Sequence, residues 1–206
     1  MHVKICGITN LVDALLCQTY GADAIGFIFY PQSKRYIRPG DAAKVIDALS
    51  PLIMKVGVFV NETPDHINKI VLSTGLTAVQ LHGDEKPEIL KKLKRPLIKS
   101  FRVQNIFDFR QLTRYKGCSL LLDSYSPDDF GGTGMTFNWD LIPEKLRSKI
   151  ILAGGVSAEN IERIYKNIKP AAVDLSSSLE QFPGKKDPDK LKEFFLKIHQ
   201  LRNGVF

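Results

Sequence analysis

The sequence predicts an α/β fold, a single (β/α)8 TIM barrel over residues 1–206, and three observations carry that reading. Eight short apolar, β-branched runs recur along the chain, and helical patterns lie between them. The 206 residues, 44% hydrophobic and 25% charged, are enough to bury one sizeable core. Strict alternation of strand and helix predicts a parallel sheet, and eight parallel strands can close on themselves. A doubly wound open sheet is the competing arrangement.

The first run, residues 3–6, stops at Gly7, and Leu11, Ala14 and Leu15 follow with their apolar groups on one helical face. Residues 24–29 and 55–60 are the second and third runs. After the third, Thr63-Pro64 offers a cap followed by proline in the first helical turn, and Ile67, Ile70 and Val71 continue that helix. Residues 78–81, 97–101, 119–123 and 149–153 supply the next four strands. Ser157, before Ala158-Glu159-Asn160, is read as another cap ahead of the stripe Ile161, Ile164 and Ile168, and residues 172–176 form the last strand. Faint self-similarity among residues 21–27, 75–81 and, more loosely, 170–175 agrees with repeated units whose spacing is too irregular for a solenoid.

No apolar run approaches the ~20 residues that span a bilayer, and Met1 leads straight into the first strand without the regions of a signal peptide. A soluble, cytoplasmic protein is expected. Cys6, Cys17 and Cys118 show no C-x-x-C spacing, so neither a disulfide framework nor a zinc site is suggested, and free thiols fit a reducing compartment. The formal net charge of +7 favours anionic partners. Lys91, Lys92 and Lys94, and Lys185, Lys186, Lys190 and Lys192, are scattered rather than gathered into a basic arm with interleaved aromatics. They read as solvated helix faces, not as a nucleic-acid surface. Neither a heptad nor a long edge strand separates monomer from homodimer.

In a barrel the chemistry stands at the C-terminal ends of the strands. Here the first strand ends in Cys6-Gly7, the fourth in His82-Gly83, the sixth in Asp123 and the seventh in Gly154-Gly155, while the eighth runs into Ser176-Ser177-Ser178. Singly these have ordinary readings: an inert small hydrophobe, a structural histidine, a turn-forming aspartate. The glycine pair and the serine run agree with each other, because they lie where many barrels hold phosphate on backbone N–H groups. That predicts a sugar-phosphate ligand, with tight turns that bind nothing as the alternative. Gly131-Gly132-Thr133-Gly134-Met135-Thr136 lacks the lysine and glycine spacing of a nucleotide P-loop and reads as a mobile flap. No Gly-x-Gly-x-x-Gly follows the first strand, which argues against a dinucleotide cofactor.

Lys4-Ile5-Cys6-Gly7-Ile8-Thr9 resembles the opening signature of the phosphoribosylanthranilate isomerase family. The resemblance runs end to end, through Gly26-Phe27-Ile28-Phe29 with Ser33-Lys34-Arg35, Val79-Gln80-Leu81-His82-Gly83, Leu121-Leu122-Asp123, Leu152-Ala153-Gly154-Gly155, and Val173-Asp174-Leu175-Ser176-Ser177 with Glu180. It implies a cofactor-free, metal-free barrel enzyme of tryptophan biosynthesis. Its substrate is the small molecule N-(5-phosphoribosyl)anthranilate, which an Amadori rearrangement converts to 1-(2-carboxyphenylamino)-1-deoxyribulose 5-phosphate. By the same resemblance Asp123 is the general acid at the ribose ring oxygen and Cys6 the general base at C2. Arg35 clasps the anthranilate carboxylate, a planar anion suited to a bidentate guanidinium. The phosphate sits on the amides of Gly155, Ser177 and Ser178, Gly154 allows its close approach, and His82 lines the pocket. A thiolate base calls for a thiol lowered from its usual ~8.5, and a carboxyl that donates near neutral pH for one raised well above ~3.9.

The chain departs from the family pattern at Ser178, usually glycine, at Met135, usually lysine, and at Asn138, usually aspartate. Ser178 keeps the backbone N–H that a phosphate needs but is strained if the position requires a positive φ, and Asn138 can still cap a helix. The rivals are another sugar-phosphate barrel, such as indoleglycerol-phosphate synthase, ribulose-phosphate epimerase or the histidine-pathway isomerase, and a basic, non-catalytic nucleic-acid-binding barrel. A metal-dependent epimerase calls for histidine and acidic ligands on several strands, whereas only His82 stands at a strand end here.

Overall fold

The computed structural model describes residues 1–104, 106–124 and 137–204. The expected flap at 131–136, Met135 included, lies outside the described residues. The strands are β1 His2–Ile5, β2 Ala24–Ile28, β3 Met54–Phe59, β4 Ala78–Leu81, β5 Leu97–Val103, β6 Ser119–Ser124, β7 Ile150–Leu152 and β8 Ala172–Leu175. Each pairs in parallel with the next, and β8 returns to β1. Ile5 pairs with both Ile25 and Leu175, a closure that excludes the open sheet.

The core has two parts because strand side chains alternate between faces. Val3, Ile5, Ile25, Phe27, Phe59, Leu81, Leu122 and Val173 point outward into the main core beneath the helices. Ala24, Val56, Ala78, Ile98, Leu121 and Ala153 fill the interior of the barrel with small and branched groups. Continuing two residues along the inner face leads from this apolar plug to the reactive rim.

The outer layer is less regular than strict alternation predicts. Helices α1 Leu11–Tyr20, α2 Pro39–Asp47 and α3 Pro64–Thr74 cover the first strands. After β4 and β5 come only 3-10 segments, Pro87–Lys92 and Phe109–Arg114, while α4 Glu144–Arg147 and α5 Ile161–Arg163 are short. Pro87 and Pro96 leave room for roughly two turns, and Lys91 and Lys94 put like charges on neighbouring positions of what would be a helix.

Thr63 caps α3 as expected, its Oγ1 accepting from His66 N at 3.4 Å with Pro64 in the first turn. Asn138 likewise caps a single 3-10 turn, Trp139–Leu141, by accepting from Asp140 N at 3.1 Å. Ser157 does not cap a helix. Its amide donates to Asn160 Oδ1 (3.0 Å), Asn160 Nδ2 donates to Gly155 O (2.7 Å), and helical structure starts only at Ile161. The asparagine ties down the loop after β7 and so displaces the serine from the capping role.

A short antiparallel hairpin, β9 Glu180–Phe182 with β10 Lys185–Lys186, precedes the closing helix α6 Pro188–Asn203, which Asp187 caps. The hairpin corrects the reading of its lysines as a solvated face. Lys186 is fully buried on Glu180 Oε1 at 2.9 Å and Lys185 pairs with Asp13, whereas Lys190 and Lys192 on α6 are exposed as a solvated face requires, Lys190 also reaching Glu180 O at 2.8 Å. Lys91, Lys92 and Lys94 are exposed, as a solvated face requires. Among the described residues no helix is long and apolar enough to cross a membrane.

Candidate active site

One cleft at the C-terminal mouth of the barrel is lined by all eight residues singled out from the sequence: Cys6, Arg35, His82, Asp123, Gly154, Gly155, Ser177 and Ser178. Each stands where a strand hands over to its loop, except Arg35, which is carried by the loop between β2 and α2.

Asp123, near the end of β6, is buried, and its Oδ1 accepts from Ser124 N at 2.8 Å. His82 Nε2 faces Asp123 Oδ2 at 3.4 Å. Gln80, two residues earlier on the same face of β4, donates from Nε2 to His82 Nδ1 at 2.8 Å. With Nδ1 occupied as an acceptor, the ring N–H is Nε2, which lies near the carboxylate without a hydrogen bond to it. Gly154 completes this corner with φ +78. A Cβ there would stand 2.6 Å from Ser124 N and 2.9 Å from Asp123 Oδ1, so no other residue lets β7 approach the carboxyl so closely.

Cys6 follows β1, and Gly7 turns the chain away with φ +77. Burial pushes the Cys6 thiol up, against the pull of the Lys4 ammonium. The lowered thiol that a thiolate base calls for is therefore not what the cleft provides by itself, because desolvation outweighs the neighbouring charge. Lys4 donates to Asp174 Oδ2 at 2.7 Å, and both are buried inside the barrel. Burial also raises Asp174, against Lys4, and burial alone would lower Lys4, but Asp174 and Cys6 outweigh it and hold the ammonium above its ordinary value.

Arg35 is not in a surface salt bridge. Its Nε donates to both oxygens of Glu180 (3.0 Å each) and its Nη2 to Oε2 at 2.8 Å, with the guanidinium largely sequestered. Glu180 also accepts from Lys186. Burial alone would raise the Glu180 carboxyl, but Arg35 and Lys186 outweigh it and hold it below the usual carboxylate range. Two cations around one carboxylate leave a net positive corner beside the cleft, with the guanidinium edge away from Glu180 available to a second anion.

The loops after β7 and β8 meet opposite this corner. Gly154 and Gly155 both take positive φ. Ser177–Leu179 forms a single 3-10 turn whose leading amides have no acceptor within the turn. Ser178 Oγ donates to Val156 O at 2.7 Å and joins the two loops. Among the described non-glycine residues positive φ occurs only at Asn61 and Lys169, so Ser178 sits unstrained where the family usually has glycine.

A sequence model of the family described as N-(5'-phosphoribosyl)anthranilate (PRA) isomerase matches residues 3–197. The chain belongs to this family. The PRA isomerase of Trichlorobacter lovleyi is 44% identical over 94% of this chain and 96% of its own length. The crystal structure of phosphoribosyl anthranilate isomerase from Thermotoga maritima superposes with a TM-score of 0.88 at 42% identity, covering 99% of both chains. A PRA isomerase structure in complex with reduced 1-(o-carboxyphenylamino)-1-deoxyribulose 5-phosphate superposes with 0.85 at 41% identity, again over 99% of each chain.

Four residues that line or brace this cleft, Lys4, Gln80, Asp174 and Glu180, lie inside the sequence motifs without standing out there as functional. A usable signal is present for three of them. Lys4, Gln80 and Asp174 each precede a rim residue by two positions in an otherwise apolar strand, so each must point into the barrel, where a polar side chain needs a partner. Glu180 has no such pattern, and only the hairpin brings it to Arg35.

Proposed function

We infer that the chain catalyses the Amadori rearrangement of N-(5-phosphoribosyl)anthranilate to 1-(2-carboxyphenylamino)-1-deoxyribulose 5-phosphate in tryptophan biosynthesis. The observation that carries this is one cleft holding a carboxyl, a thiol, an anchored guanidinium and a two-loop anion cradle. In our assignment Asp123 protonates the ribose ring oxygen, the C1–O bond breaks, and the nitrogen lone pair forms an iminium. The iminium makes the adjacent C2–H acidic, and the Cys6 thiolate removes it. The enamine then tautomerises to the ketone. Only protons move, so no cofactor or metal is called for. His82, whose Nε2 stands 3.4 Å from Asp123 Oδ2, is placed to stabilise the carboxylate left once its proton is gone. Arg35 takes the anthranilate carboxylate, and Gly155, Ser177 and Ser178 take the phosphate, with Gly154 setting the approach.

The nucleic-acid-binding rival is disfavoured because Lys186 is buried on Glu180 and the half-buried Lys185 is paired with Asp13, which takes the densest lysine pair of the C-terminal region out of a free basic surface. We place the protein in the cytoplasm as a monomer or homodimer acting on a small-molecule substrate; one T. maritima relative is described as dimeric, and sedimentation distinguishes the two states. The test is turnover of substrate generated in place, followed by loss of anthranilate-type fluorescence with chelator present. Chelator-insensitive turnover that disappears in Cys6→Ala is expected. Folded wild-type protein without turnover overturns the reading.

A further inference from the structure

We propose that Lys4, held by Asp174, is a positioning residue for the general base, its ammonium supporting the Cys6 thiolate. The proposal rests on Cys6 being the base of the isomerisation. Lys4 and Cys6 are two apart at the end of the first strand, so both point into the barrel. Lys4 is 3% exposed, a placement that costs a lysine several kcal/mol unless it is paired and hydrogen-bonded. Asp174 supplies the pair, and Gly26 on β2 supplies the room. A Cβ at Gly26 would stand 2.7 Å from Cys6 Sγ and 3.2 Å from Lys4 Nζ, so sulfur and ammonium share the hollow over a single glycine.

The charges facing Cys6 come from three elements. Lys4 on β1 and Lys186 on β10 favour the thiolate, Lys4 more strongly, while burial and Asp174 on β8 oppose it. Asp123 and His82, farther across the barrel, act on Asp174. Were the lysine there only to neutralise Asp174, the pair would be expected to close on itself. Instead, among the described residues, Asp174 Oδ1 is buried without a hydrogen-bond partner, Asp174 lines the cleft, and the ammonium and the sulfur border the same hollow over Gly26.

In the step served, the C2 proton passes to Sγ, the C–H electron pair becomes the C1=C2 bond, and the C1=N π pair returns to nitrogen. Sulfur goes from negative to neutral and the iminium from positive to neutral. Lys4 keeps its proton throughout, so it acts before the transfer, on the fraction of Cys6 present as thiolate.

The test is the pH midpoint of Cys6 alkylation by iodoacetamide, resolved from Cys17 and Cys118 by peptide mass spectrometry. It compares wild type with Lys4→Met/Asp174→Asn, which removes both charges and strands neither. The midpoint is expected to rise by about one pH unit, tenfold in thiolate fraction at fixed pH, and the rising limb of kcat/KM to move with it. An unchanged midpoint in folded double variant overturns the proposal. Should that variant not fold, Lys4→Gln/Asp174→Asn, an uncharged pair that can still hydrogen-bond, decides: the midpoint rises, and a midpoint at or below wild type overturns the proposal. Alkylation needs no turnover, so an inactive wild type would sink the proposed function and leave this titration readable.

Discussion

Among the described residues three lysine–carboxylate pairs are buried, and two of them, Lys4–Asp174 at 2.7 Å and Lys99–Glu85 at 2.9 Å, differ in their surroundings. Lys99 also donates to Gly83 O (2.6 Å), Ser100 O (3.0 Å) and, at longer range, Leu81 O (3.4 Å). Glu85 accepts from Asn61 N and Gly83 N. The donors and acceptors of that pair are filled by backbone, so it behaves as a pin on the turn after β4. Lys4–Asp174 lies beside the cleft, shares the hollow over Gly26 with Cys6, and leaves one carboxylate oxygen without a partner among the described residues. A saturated buried pair holds structure, whereas an unsaturated one is open to chemistry.

The largest effects belong to the cleft side of this comparison. Cys6→Ala and Asp123→Asn are each expected to lower kcat by about 10²–10⁴, the span of a lost general acid or base, with the fold intact by circular dichroism. Near-normal turnover in either variant removes that residue from the mechanism.

On the structural side, Lys99→Met leaves Glu85 buried without its cation. That costs about 3–5 kcal/mol and on the order of 10 °C in Tm for a chain of this size. Thermal unfolding measures the loss, and the Cys6 alkylation midpoint should stay at its wild-type value. A moved midpoint would erase the distinction between the two pairs.

Arg35 combines both characters, since Glu180 saturates one edge of its guanidinium and the cleft meets the other. Arg35→Met is expected to raise KM about ten- to a hundredfold, the ~1.5–3 kcal/mol of hydrogen bonds to a charged group, with a smaller change in kcat. Steady-state kinetics that show kcat falling and KM constant would move Arg35 from binding to transition-state stabilisation.

The strands are legible in the sequence because each apolar run is short and bounded, and the rim is legible because Cys6, His82, Asp123 and Gly154-Gly155 stop those runs. What connects the rim residues is not. Lys4 meets Asp174 across 170 positions, and Arg35 meets Glu180 across 145, distances over which no local spacing carries information. The direction of the Cys6 shift runs against the sequence expectation for a related reason: burial dominates it, and burial follows from barrel closure rather than from neighbours in sequence. The irregular outer layer escapes prediction because helical periodicity marks which face packs without saying how many turns the chain can complete.

Ser178 is the smallest and most local case of the same contrast. Its hydroxyl is filled by Val156 O, while its amide is the one we assign to the phosphate, so on the proposed function side chain and backbone divide structure and binding within one residue. Ser178→Gly removes the hydrogen bond, worth about 1 kcal/mol, and gains nothing in return, because the backbone here is not in the left-handed region. Chemical denaturation should therefore register a loss of about 1 kcal/mol, and calorimetric titration with inorganic phosphate should find affinity within about threefold of wild type, under 1 kcal/mol. Tighter phosphate binding in the glycine variant would mean that the loop must pass through a positive φ to close on its ligand, and that the serine resists it.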